Sequence, residues 1–248
     1  MTSRDDMLTR IRAALRRETS SSNDSGDREL VRDLRDIMPP IPPGEELTKF
    51  EAELTALAGV AWRAASGAEL EERLESILTA CGAKSVALSR NSLLARLGLA
   101  ERLRSQGLNV SVCPAQSSTD AGAATRAGEE FRERCFTAEV GITGVDFVLA
   151  ETGSLVVTSA SEGAQLTSLA PPVHVALYRR EQLVASLDEV LSGLPLARGL
   201  DDPNAGRSVV FITGTSRTAD IEQILVRGVH GPGQVHAILV EESCFLSP

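Results

Sequence analysis

From Glu45 onward the chain alternates short apolar runs with amphipathic stretches. Phe50, Leu54 and Leu57 recur at helical spacing. Gly59-Val-Ala-Trp62 reads as a short strand, Ala68–Ala80 as a helix ending near Gly82, and Ser85–Leu88 as a strand. Asn91–Ser105 reads as a broken helix, Asn109–Val112 as a strand stopped by Pro114, and Arg126–Glu139 as a helix. Asp146–Ala150 and Ser154–Thr158 are strands too close together for a crossover helix, so a hairpin or sharp bend joins them. The pattern continues with a strand at Val173–Leu177, a helix at Glu181–Leu191 and a strand at Ser208–Ile212. A helix at Ala219–Arg227 and a strand at Val235–Val240 complete it. Short β-branched runs between helices predict an α/β fold, a mostly parallel sheet with helices on both faces.

Residues 1–44 follow another pattern. Leu8, Ile11 and Leu15 form one helical stripe, and Leu30, Leu34 and Ile37 another, with the polar run Thr19–Gly26 between them. Met38-Pro-Pro-Ile-Pro-Pro-Gly44 stops any helix and runs extended. The division expected is an N-terminal helical arm with a Pro-rich linker over 1–44 and one domain over 45–248. A lone helix of this length is marginal in water, so its stripe must dock on its own chain, a like subunit or a partner.

Composition narrows the functions. The 248 residues are 42% hydrophobic but only 3% aromatic, so the core is built from Leu, Val, Ile and Ala. Few rings and a formal net charge of −9 argue against a nucleic-acid platform. No run is long enough for a membrane span, and Met1–Arg17 lacks the apolar core of a signal peptide, which predicts a cytoplasmic protein. The cysteines, Cys81, Cys113, Cys135 and Cys244, form no C-x-x-C pair, and the histidines, His174, His230 and His236, form no H-x-x-x-H. Neither a metal site nor a cofactor bound by this chain is expected.

Two stretches carry candidate chemistry. In Gly141–Leu155, Glu151, Thr152 and Gly153 follow an apolar strand at once. Ligands of open α/β sheets bind outside the carboxyl ends of strands. Glu151 there is a ligand-orienting anion, a base or a nucleophile, or else a carboxylate that only accepts N–H bonds from the turn. In the second stretch, Gly214, Thr215, Ser216, Arg217 and Thr218 precede the helix expected at Ala219. Hydroxyls, a guanidinium and a helix start suit a small anion, although Asp220 and Glu222 compete for the same terminus. His230 lies in the Gly-rich loop Gly228–Gly233.

Gly144–Leu155, Gly214–Glu222, Gly228-Val-His-Gly-Pro232 and the intervening Leu169-Ala-Pro-Pro-Val-His174 together resemble the LUD-domain (lactate-utilisation) family. The likeness is to its short members, those without C-x-x-C cluster motifs. Leu8–Leu15 is similar to the opening of those members, and Thr215 stands where many of them have Pro. The resemblance implies a Rossmann-like fold similar to the ribose-5-phosphate isomerase and CoA-transferase group, in which Glu151 takes the place of a reactive carboxylate. It also implies an accessory subunit in L-lactate oxidation to pyruvate, acting with lactate-utilisation proteins A and B, whose iron–sulfur clusters carry the electrons. The alternative is a stand-alone acyl- or CoA-transferase or sugar-phosphate isomerase using Glu151. A homo-oligomer is compatible with either.

Overall fold

Side chains that recur every three or four positions make the helices, and those that alternate make the strands. The computed structural model describes residues 40–114, 121–163, 165–194, 208–219, 225–228 and 230–245. The helical stripes expected before residue 40 lie outside the described residues. In chain order the elements begin α1 (Glu46–Ala56), β1 (Val60–Ala64), α2 (Gly67–Ala80), β2 (Ser85–Leu88), α3 (Ser92–Arg96), α4 (Leu99–Ser105) and β3 (Asn109–Val112). Next come α5 (Ala121–Thr137), β4 (Val140–Thr143), β5 (Phe147–Leu149), β6 (Ser154–Thr158), α6 (Ser159–Glu162), α7 (Leu166–Leu169) and β7 (Val173–Tyr178). The remainder are β8 (Leu183–Val184), α8 (Leu187–Gly193), β9 (Val209–Ile212), β10 (Arg217–Ala219), β11 (Leu225–Arg227) and β12 (Gln234–Val240).

Local chemistry fixes the ends of these elements. The Ser66 hydroxyl accepts from Glu69 N at the start of α2, while Glu69 reaches back to the Ala65 N–H. Gly98, with φ of +60°, breaks α3 from α4.

Six strands form one parallel sheet in the order β3-β2-β4-β7-β12-β1. Central β7 is buried along its whole length, as an apolar strand covered on both faces should be. One face packs Val86, Leu88, Ile142, Val175 and Ile238 against Leu70, Leu74 and Ile77 of α2 and leucines of α3 and α4. The other packs Ala176, Tyr178, Val235 and Leu239 against Phe50 and Leu54 of α1 and Leu155 and Val157 of β6. On that face α5 adds Phe131 and Cys135, which meet Ala87. The predicted α/β class is therefore present, with helices on both faces. A second sheet, β8-β5-β6-β9, completes the cover over α1's side, and β5 and β6 form the expected antiparallel hairpin.

Three expectations need correction. Strand β4 was not anticipated, because Gly141 interrupts its β-branched run. The glycine is required: a Cβ there would overlap the Thr167 carbonyl oxygen, and Pro171 Cγ lies 2.9 Å from the same point. The helix expected over Glu181–Leu191 is confined to α8, because Leu183 and Val184 pair with β5 as β8, and Ser186 then caps α8. The helix expected over Ala219–Arg227 is replaced by an antiparallel pair, β10 with β11, in which Thr218 faces Val226. The paired residues lie farther apart along the chain than helical neighbours, so local spacing does not show the pairing; residues 220–224 lie outside the described residues.

The close approach at Gly141 gives a stability prediction. Gly141→Ala should lower the unfolding free energy by about 3 kcal/mol through overpacking against backbone. Urea unfolding checks it, and a loss below about 1 kcal/mol would show that the β4–α7 contact relaxes freely.

Candidate functional site

The carboxyl ends of neighbouring β2, β4 and β7 open into a polar crevice of about 290 Å³. The loop after β2 supplies Asn91 and Ser92, and the connection after β4 supplies Val145 and Asp146. The turn after β7 supplies Arg179, Glu181 and Gln182, while α6 contributes Ser161 and α3 contributes Arg96. A second hollow, between α2 and α4, is mostly apolar and encloses about 10 Å³, no more than one water's room.

Behind the crevice wall stands Glu162, with 0% of its surface exposed. Its carboxylate accepts from Ser89 Oγ, from Asn91 Nδ2 and, at 3.0 Å, from the Gly144 N–H. A Cβ at Gly144 would overlap the Asn91 amide, so the glycine lets that amide reach Glu162. No cation pairs with Glu162 among the described residues. Burial therefore pushes its pKa up to about 7; the Ser89 and Asn91 bonds pull the other way, and the Asp146 charge adds to the rise. Asp146 accepts from Thr158 N at 2.7 Å and from Ser161 Oγ at 2.8 Å. That same hydroxyl lies 3.4 Å from Glu162 Oε1, so the two carboxylates share one serine.

Phe245 gathers two cations on the rim. The Arg96 guanidinium lies 4.4 Å from its ring centre and that of Arg179 5.7 Å. Arg179 pairs with Glu181 at 2.8 Å and with Glu242. Among the described residues no carboxylate pairs with Arg96.

The residues singled out from sequence lie elsewhere. Because β5 belongs to the smaller, mixed sheet, Glu151 does not stand at the carboxyl edge of the six-stranded parallel one. Half-buried, it accepts at 3.0 Å from the N–H of Leu187, the first residue of α8. Thr152 hydrogen-bonds with Ser154, which hydrogen-bonds with Thr213, so hydroxyls join the two motif loops. Both loops rest on the end of α1. Gly153, with φ of +65°, leaves no room for a Cβ beside Leu54 N, and Gly214, with φ of +80°, none beside Leu57. Thr215 N donates to Leu57 O at 3.4 Å, and its buried hydroxyl has no partner among the described residues. Ser216 N donates to Pro232 O, and Gly228 N to Ser216 O, which brings the His230 loop alongside. Arg217 and His230 are exposed, and Thr218 lies in β10. With a strand at 217–219, no helix start backs this loop among the described residues. Among the described residues no hydrogen bond or ion pair joins Glu151 to Arg217 or His230.

The two strand histidines point to opposite faces. His174 Nε2 meets Thr143 Oγ1 at 2.8 Å, on the face of Val235, while His236 Nδ1 accepts from Trp62 Nε1 at 3.1 Å on the other. Burial lowers both, His174 to about 3, so both stay neutral. Among the described residues no three His, Cys, Asp or Glu side chains are grouped to hold a metal ion. Nor is any described helix long and apolar enough to cross a membrane.

Glu162, Asp146, Ser161, Arg96 and Arg179 were missed from sequence. The signal was there for two of them: Arg179 directly follows the most apolar strand, and Glu162 closes a short polar segment after β6.

A parallel sheet flanked by helices, with a polar crevice at its carboxyl edge, defines an open α/β domain. Residues 47–240 match the LUD domain, and the chain belongs to that family. It is 30% identical over 173 residues to Lactate utilization protein C of Halalkalibacterium halodurans, covering 70% of each chain. To Lactate utilization protein C of Bacillus subtilis it is 34% identical over 117 residues, 46% of this chain and 48% of that one. The crystal structure of a DUF162 family protein from Deinococcus radiodurans superposes with a TM-score of 0.54 at 18% identity. That likeness, over 81% of this chain and 99% of the other, is one of fold.

Two measurements follow. Since the folded state holds the Glu162 proton up to about 7 and the unfolded chain releases it near 4.5, folding loses stability as pH rises between those values. Relative to Glu162→Gln, the wild type should lose about 3 kcal/mol across that window. Buried His174 has the opposite slope, its stabilisation vanishing as pH falls below 6.5 towards about 3, but it is common to both proteins and cancels. A flat difference in urea unfolding between pH 4.5 and 8 would mean that Glu162 is not held protonated. Separately, Glu151→Ala should cost about 1 kcal/mol by freeing the start of α8. Amide exchange in α8 reads this, and unchanged protection would remove the capping role.

Proposed function

We propose that the chain is a cytoplasmic component of an L-lactate-to-pyruvate oxidation system, carrying no electrons itself and acting beside iron–sulfur partner proteins. The observation that carries the reading is the family match over residues 47–240, with relatives called Lactate utilization protein C. Oxidation of a 2-hydroxy acid to a 2-keto acid releases two electrons and two protons. In this reading clusters on the partners take the electrons, and this chain binds and positions. Four free cysteines suit a reducing compartment.

Deleting the gene should abolish growth on L-lactate as sole carbon source while sparing growth on glucose, and a plasmid copy should restore it. Undiminished growth on L-lactate in a strain without a paralogue would overturn the proposal. The tagged chain should also retain two iron–sulfur proteins from lactate-grown cells.

A further inference from the structure

We infer that the carboxyl-edge crevice is a binding site for a small hydroxy-carboxylate, with Arg96 as its anchoring cation and Asp146 and Ser161 facing the hydroxyl. The anion follows from the geometry; the choice of a hydroxy acid rests on the lactate reading above. Three observations combine. The crevice, about 290 Å³, is close to the lower end of the range for small-molecule sites and is open to solvent along one side. Arg96 reaches its rim without a carboxylate partner among the described residues, held in place by the Phe245 ring. Arg179, already tied to Glu181 and Glu242, adds a fixed second cation without competing for the anchor.

The lining is not simply positive. Asp146 and Glu181 border the same space as Arg96 and Arg179, which disfavours a multiply charged anion such as phosphate. It suits a ligand with one charge and one hydroxyl: the carboxylate goes to the guanidinium side, and the hydroxyl donates to Asp146. Ser161, whose hydroxyl already donates to Asp146, holds that carboxylate in place.

Glu162 acts as a positioning residue. It touches no ligand but fixes the Asn91 amide, which lines the crevice, and approaches Ser161. The charged groups around it are Asp146 from the β4 connection and Arg90 from the β2 loop, whose N–H donates to the Glu162 carbonyl. Arg96, Arg179 and Glu181 stand across the crevice. Protonated Glu162 leaves an incoming anion unopposed from behind, whereas ionised Glu162 adds a second negative charge beside Asp146. Anion affinity should therefore be highest below pH 7 and fall above it.

The test is calorimetric titration of the purified full chain with L-lactate, propionate and inorganic phosphate, from pH 6 to 8. L-Lactate should bind saturably, and propionate, which lacks the hydroxyl, on the order of tenfold more weakly. Arg96→Gln should weaken L-lactate binding at least about tenfold, and Arg73→Gln, on α2 with its cation over Trp62 of β1, should not. Glu162→Gln should keep binding but flatten its pH dependence. If that variant is unstable, Ser89→Ala should shift the pH midpoint while leaving the anchor in place. No saturable binding, phosphate binding as tightly as L-lactate, or indifference to Arg96→Gln would each overturn the inference. Binding without a growth defect on deletion would remove the lactate-system role and leave the site standing. A growth defect without binding would do the reverse.

Discussion

Among the described residues no cation pairs with the buried Glu162 carboxylate, and three donors hold it where a salt bridge would otherwise be needed. Those donors come from the ends of β2 and β4, and the carboxylate itself rides on α6. One side chain thus ties two neighbouring strand ends to the segment that leaves the second sheet. Burying an ionisable group this way costs several kcal/mol once it is charged, so the fold favours the neutral form. The crevice exists because that knot holds its back wall, and the Asn91 amide is aimed by the same bonds.

The glycines serve the same architecture. Gly141 lets α7 lie against β4, and Gly144 lets Asn91 approach Glu162. Gly153 and Gly214 let both motif loops press on α1. In each case a missing side chain permits backbone to meet backbone or a polar group to reach its partner. The two motif loops therefore form a packed junction between the small sheet and α1, joined by the Thr152–Ser154–Thr213 hydroxyls, and the crevice lies at the strand ends.

Most of the parallel sheet is legible in the sequence because its strands are short apolar runs bounded by Gly, Pro or polar residues. Ser85–Leu88 and Asn109–Val112 coincide with β2 and β3. β4 is hidden by Gly141, whose presence only a tertiary contact explains. Leu183 and Val184 read as part of a helix because their pairing with β5 is non-local. The crevice was illegible for a related reason. Asn91, Asp146, Ser161 and Arg179 are spread over four connections, and only the strand order brings them together. Glu151 stood out from sequence as an acid after an apolar strand, but which sheet that strand joins is a matter of topology.

Strand β12 is inserted between β1 and β7, so the parallel sheet closes only with its latest described strand in chain order. During synthesis β1 and β7 each expose an unpaired edge until Gln234–Val240 clears the ribosome. A nascent chain in that state offers two templates for mispairing.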